Sequence, residues 1–257
     1  MELLLTLLGG LVVALIGAIG GAWLWEALRD YWFNRPFRRV LNFQRGRRVT
    51  FVFPTRDPPP GRINRDVAWE DMQAVDYITR AAIEAGHRWM ARCGSEQFTD
   101  NYKQDNLVLI CSPISNTATE TALKVVKAER PQFDIDIVED PATPSGSLVQ
   151  WKRLQFFGGQ FQSPSFRETD RTQPLVDWGV IAKVHSPTVW NPHAKILFVI
   201  GIRAIGTWGA AKFLFEHVRE IHERYGDGEF AFTVQTTHQD FRIIGMQPGN
   251  WHDDSDF

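Results

Sequence analysis

One uncharged stretch constrains this chain before anything else. From Leu3 to Trp25, LLLTLLGGLVVALIGAIGGAWLW, 23 residues carry no charge. As a helix rising about 1.5 Å per residue they cover roughly 34 Å, enough for a bilayer core of about 30 Å. Only Glu2 precedes the run, whereas a cleavable leader has a positive start and a shorter apolar core ending in small residues. The expectation is a retained transmembrane helix within residues 1–28. Trp23, Trp25, Tyr31 and Trp32 cluster at its C-terminal end, where amphipathic aromatics prefer headgroup level. Arg29, Arg35, Arg38, Arg39, Arg45, Arg47 and Arg48 follow at once, and a basic excess marks the cytoplasmic flank. This reading is a single-pass protein of the inner cell membrane, with its N-terminus outside. Residues 29–48 are then a basic juxtamembrane linker, and residues 49–257 a cytoplasmic domain.

Two partner surfaces follow from the same segment. Arg35, Arg38, Arg39, Arg45, Arg47 and Arg48 could rest on anionic lipid or serve only as a topology signal. Gly17 and Gly21, continued by Gly10, Ala14 and Ala18, form a small face of the kind that lets two membrane helices meet in a homo-oligomer. The chain carries a net charge of −2. Because the basic excess is confined to the N-terminal part, the body is acidic and offers little attraction for nucleic acid. Cys93 and Cys111 stand alone, outside any Cys-x-x-Cys or Cys/His spacing, which favours a reduced compartment and gives no metal site.

Beyond Arg48 the pattern becomes strand, turn and helix in alternation. VTFVF at Val49 to Phe53 reads as a strand. The proline-rich PTRDPPPGRINRD, with Arg56 and Arg62, reads as a loop, and a helix from about Asp66 to Ala85 follows. NLVLI, CSPISNT and ATETALKVVKAE repeat the unit, with Asn116 or Thr117 as the helix cap. From Ser147 to Val184 the chain is β-rich. The 20 residues ILFVIGIRAIGTWGAAKFLF, Ile196 to Phe215, invite reading as a second span. Arg203 at its centre and three glycines argue instead for a buried strand, a turn and a helix capped by Thr207. The fold class expected is α/β: an N-terminal transmembrane helix, then a Rossmann-like three-layer domain with a β-rich insertion.

In open α/β sheets ligands sit beyond the carboxyl ends of the strands, where helix starts present unpaired amides. Ser112, Ser115 and Asn116 follow one strand; Gly201, Arg203, Gly206 and Thr207 follow another. This inventory suits a phosphate, although neither the dinucleotide fingerprint nor a P-loop is present. The same residues read equally as turn glycines and ordinary helix caps. For catalysis the candidates are Glu70 and Glu120 in first helical turns, where carboxylates also stabilise the helix dipole, and His238 at a strand end.

The segments LVLICSPISN and FVIGIRAIGTWG, behind a single span and a basic linker, resemble the membrane-anchored Rossmann-like nucleotide-sensing domains of bacterial defence and signalling proteins. The resemblance is architectural, over roughly residues 106–224, and matches no family motif residue by residue. It implies a sensor or effector binding a nucleotide or another small phosphorylated ligand. The alternatives are a membrane-tethered nucleotide hydrolase or glycosidase, and a membrane scaffold that recruits a protein partner.

Overall fold

A computed structural model describes residues 2–55, 67–143, 151–163, 173–240 and 242–256, with the side chains of residues 2–13, 29, 30, 33 and 254 outside the description. The helices are α1 (Glu2–Arg29), α2 (Arg35–Leu41), α3 (Trp69–Glu84), α4 (Thr117–Glu129), α5 (Ala204–Glu216) and α6 (Val218–Tyr225). The strands are β1 (Val49–Phe53), β2 (Met90–Gly94), β3 (Asn106–Ile110), β4 (Ile135–Glu139), β5 (Lys152–Phe156), β6 (Gly159–Gln162), β7 (Leu175–His185), β8 (Lys195–Gly201), β9 (Phe230–Gln239) and β10 (Arg242–Asp253).

Seven strands form one mixed sheet in the order β10-β9-β7-β8-β3-β1-β2, and β4-β5-β6 form a second, antiparallel sheet. β8, β3, β1 and β2 run parallel, whereas β7, β9 and β10 continue the sheet antiparallel. A parallel strand covered on both faces reads as an unbroken apolar run, and KILFVIG at β8 is buried at every position. Its alternate residues serve different cores. Leu197 and Val199 join α2, α3 and α5 on one face. Ile196, Phe198 and Ile200 join α4 and the small sheet on the other. The α/β class holds, and the layering is compatible with a Rossmann-like arrangement.

The expected membrane anchor is not supported. Among the described residues no helix is long and apolar enough to cross a membrane. The transmembrane helix, the single-pass topology and the inner-membrane placement with an outside N-terminus are therefore withdrawn. Leu15, Ile16, Trp23, Leu24 and Trp25 are exposed on α1, and nothing lies within 4 Å of a side-chain position at Gly17 or Gly21.

Several local expectations also change. The basic segment behaves as part of the body: α2 buries Pro36, Phe37, Val40 and Leu41, and Phe43 is buried after it. Lys183, fully buried in β7, donates from Nζ to the Val40 carbonyl at 2.7 Å and the Asp227 carbonyl at 3.2 Å. The β-rich stretch divides, with β5 and β6 pairing in the small sheet and β7 entering the large one. β2 is an additional edge strand, and its MARCG sequence has no apolar alternation to announce it. β10 continues through His252 and Asp253, which pair with Ala231 and Phe230, so the start of the acidic C-terminal segment belongs to the sheet. Most of the proline-rich loop, including Arg56 and Arg62, lies outside the described residues.

The turn between β8 and α5 depends on backbone contact. A Cβ on Gly201 would lie 2.2 Å from the Thr207 amide nitrogen and 2.5 Å from the Arg203 carbonyl oxygen. Neither backbone atom can rotate away, so overpacking here should cost at least about 1–3 kcal/mol. Gly201→Ala is expected to lower the unfolding free energy by that amount, seen as a lower urea midpoint at unchanged slope.

Candidate functional site

The chain leaves β1 towards β2 through α3, and leaves β3 in the opposite direction towards β7 and β8. The reversal between β1 and β3 is the place where an open α/β sheet ordinarily offers a crevice. Here the neighbouring helix starts have internal partners. Asn116 is fully buried; its Oδ1 accepts from the Ala118 and Thr119 amides at 3.0 and 3.2 Å. Its Nδ2 donates to the Val52 and Ile110 carbonyls at 3.1 and 2.8 Å, tying β1 to β3. Ser112 is buried with its Oγ 3.5 Å from that of Ser115, which is exposed.

The start of α5 is occupied more completely. Arg203, not Thr207, is the cap residue. The amides of Gly206 and Arg203 donate to Asp177 Oδ2 at 2.8 and 3.2 Å. Gly206 lets the helix settle on β7: a Cβ there would meet the Trp178 carbonyl oxygen at 2.5 Å. Thr207 is fully buried, its hydroxyl directed to the Arg203 carbonyl at 3.5 Å. The anion at this helix start is thus the protein's own carboxylate, which the primary sequence places 26 residues before Arg203.

Burial pushes the Asp177 carboxyl up to about 6, against the Ser163 hydroxyl, the amides and the Arg203 charge, which pull it down. A carboxyl raised on folding holds its proton in the folded chain after the unfolded chain has released it. The stability this provides is complete below about pH 4 and is lost as the pH rises through about 6. Relative to Asp177→Asn, which keeps an acceptor and cannot ionise, the native chain should lose up to about 3 kcal/mol between pH 4 and pH 7. Denaturant unfolding of both proteins across that range measures the difference.

The three candidate catalytic groups do not meet. Glu70 lies in the first turn of α3, and Glu120 on α4 pairs with Lys124 at 2.5 Å. His238 lies on β9, three strand positions from β3, or roughly 14 Å across the sheet. Burial and then Arg203 hold the His238 ring below the ordinary histidine range. Among the described residues no hydrogen bond or ion pair joins any two of the three.

A different site lies at the amino ends of β1 and β2. The end of α2, the turn before β1 and the turn before β2 enclose a groove of about 780 Å³. Arg38, Arg39, Arg45, Arg47 and Arg88 line it, with Asn42, His87 and Trp89, and no lining residue is acidic. A smaller hollow of about 480 Å³ shares Arg38, Gly86, His87 and Arg88 with it. Gly46 and Gly86 carry positive φ angles of 74° and 87°, a conformation that favours glycine, and they turn both flanking loops back toward the groove. Burial, with Arg45 adding to it, holds His87 below the usual histidine range.

The arginines are not equivalent. Arg39 pairs with Asp227 at 3.0 Å on the surface. Arg48, behind the groove, binds Asp105 Oδ2 through Nη2 and Nε at 2.8 and 2.9 Å, and Thr50 donates to the same oxygen. Arg45, Arg47 and Arg88 are exposed, and among the described residues their side chains form no ion pair or hydrogen bond. Like charges gathered without counter-charges oppose folding slightly and attract an anion. Arg45→Gln and Arg88→Gln should therefore leave unfolding free energy within about 0.5 kcal/mol of the native value. Arg48→Gln should lower it by about 1–3 kcal/mol, because Asp105 loses its charged partner while buried. Chemical denaturation of the three variants separates the exposed groove arginines from the structural one.

The sequence pointed to the arginines before Val49 but not to this groove. Arg88 and Trp89 come from the α3–β2 connection, about forty residues later in the chain, and no local pattern links the two segments. No protein-family model matches the chain, and no curated protein matches it.

Proposed function

We propose that this protein binds a small phosphate-bearing ligand in the arginine groove, as a sensor or binding module rather than through the crevice at the carboxyl ends of the strands. The observation that carries this reading is the groove itself: about 780 Å³ lined by five arginines and no carboxylate. That volume is in the range of small-molecule sites. Guanidinium groups suit phosphate because their planar donor fork can bind two oxygens at once. The ligand class is the one implied by the resemblance to nucleotide-sensing domains, at a different place on the fold. Catalysis finds less support, since Glu70, Glu120 and His238 are dispersed.

Thermal unfolding of the full chain with inorganic pyrophosphate tests the reading. Occupancy at a hundredfold the dissociation constant adds about 2.7 kcal/mol, enough to raise the midpoint by several degrees in a domain of this size. The shift should shrink as salt rises and disappear in an Arg45→Gln/Arg88→Gln double variant. Pyrophosphate without effect at low salt, or with equal effect on the double variant, would overturn it.

A further inference from the structure

Phosphate explains the arginines of this groove but not its indole. Trp89 lines the groove, immediately before β2, with 62% of its surface exposed. Its backbone is fixed, since the Trp89 carbonyl accepts from the Val49 amide at 3.0 Å. Its ring is supported as well. The Arg48 guanidinium lies 6.0 Å from the Trp89 ring centre and 5.4 Å from that of Tyr102. Arg48 is itself held by Asp105 at 2.8 Å. The indole therefore has a firm backing on the protein side and a large surface open to the groove.

An exposed aromatic platform beside unpaired cations has a specific chemical complement. A planar heteroaromatic ring stacks on the indole, and a charged tail reaches the guanidinium groups. A lipid headgroup or inorganic phosphate satisfies only the second half of the site. We propose that the ligand is a nucleoside phosphate, its base stacked on Trp89 and its phosphates held by Arg45, Arg47 and Arg88. This rests on the phosphate reading above and adds the base to it. Trp89 is then the residue that distinguishes a nucleotide from other phosphates.

The experiment compares ADP, GDP, adenosine, inorganic pyrophosphate and phosphatidylglycerol vesicles as ligands of the full chain, by calorimetry for the soluble ligands and co-sedimentation for the vesicles. It is repeated on Trp89→Ala and Trp89→Phe, whose exposed position leaves the core intact. The proposal expects at least one diphosphate to bind about 10-fold or more tightly than pyrophosphate. It expects Trp89→Ala to remove that advantage while leaving pyrophosphate binding unchanged, and Trp89→Phe to retain most of it. Nucleotide binding should also quench a fluorescence component that is missing in Trp89→Phe. Equal affinity for diphosphates and pyrophosphate, or an equal loss of both in Trp89→Ala, would overturn the base-stacking inference and leave the phosphate site standing. Vesicle binding without nucleotide binding would do the same and identify a lipid phosphate. Failure of every phosphate to bind would remove the earlier reading with it.

Discussion

Lys183 is the interaction on which the arrangement of this molecule turns. An amino group with no solvent exposure in the interior strand β7 is tolerable only where polar partners replace water. Two of those partners are backbone carbonyls from distant segments, Val40 at the end of α2 and Asp227 after α6, and the Phe230 ring lies 5.0 Å from the amine. The satisfaction of one buried donor thereby fastens the basic segment to the sheet. Arg39, on the same helix, reaches Asp227 from outside. The groove inherits its geometry from this attachment, because α2 forms one wall and the turn leaving it forms another.

The two ends of the parallel strands have been put to opposite uses. At the carboxyl ends, Asn116 and Asp177 fill the helix starts with side-chain oxygens. Backbone amides that an anionic ligand could have used are hydrogen-bonded within the protein, and the glycines around them serve close contact between α5 and β7. At the amino ends, Arg45, Arg47 and Arg88 are gathered with no counter-charge among the described residues, while Arg39 pairs with Asp227. A carboxylate buried at one end and unpaired guanidinium groups exposed at the other are two answers to one electrostatic problem. The first resolves local charge within the fold, and the second leaves it exposed at the surface.

Arg47 and Arg48 show how adjacent residues of one type are put to different uses. Arg47 and Arg48 are neighbours in sequence, yet Arg48 turns inward to Asp105 and supports Trp89, whereas Arg47 faces the groove. Both lie in the turn before β1, and a two-residue basic pair there supplies one guanidinium to Asp105 and one to the groove. No difference in residue type signals which is which.

Much of the architecture was legible in the residue pattern alone. Apolar runs such as LVLI and ILFVI marked the central strands, because a strand buried on both faces is predominantly apolar. Asn116 announced a helix start for the same local reason. β2 was not legible, since an edge strand needs little apolar content, and Thr207 was misjudged as a cap because the actual acceptor, Asp177, arrives from another strand. The long apolar stretch at the N-terminus argued for a membrane span, which the described helix does not support. The chain's composition and local order thus determined the α/β class and the clustering of arginines before Val49. Only the tertiary structure decided that those arginines form a groove with Arg88 and Trp89 and that the strand-end amides are already occupied. Both outcomes rest on hydrogen bonds and packing between segments far apart in the chain, and no local pattern encodes which distant partner will satisfy a buried donor.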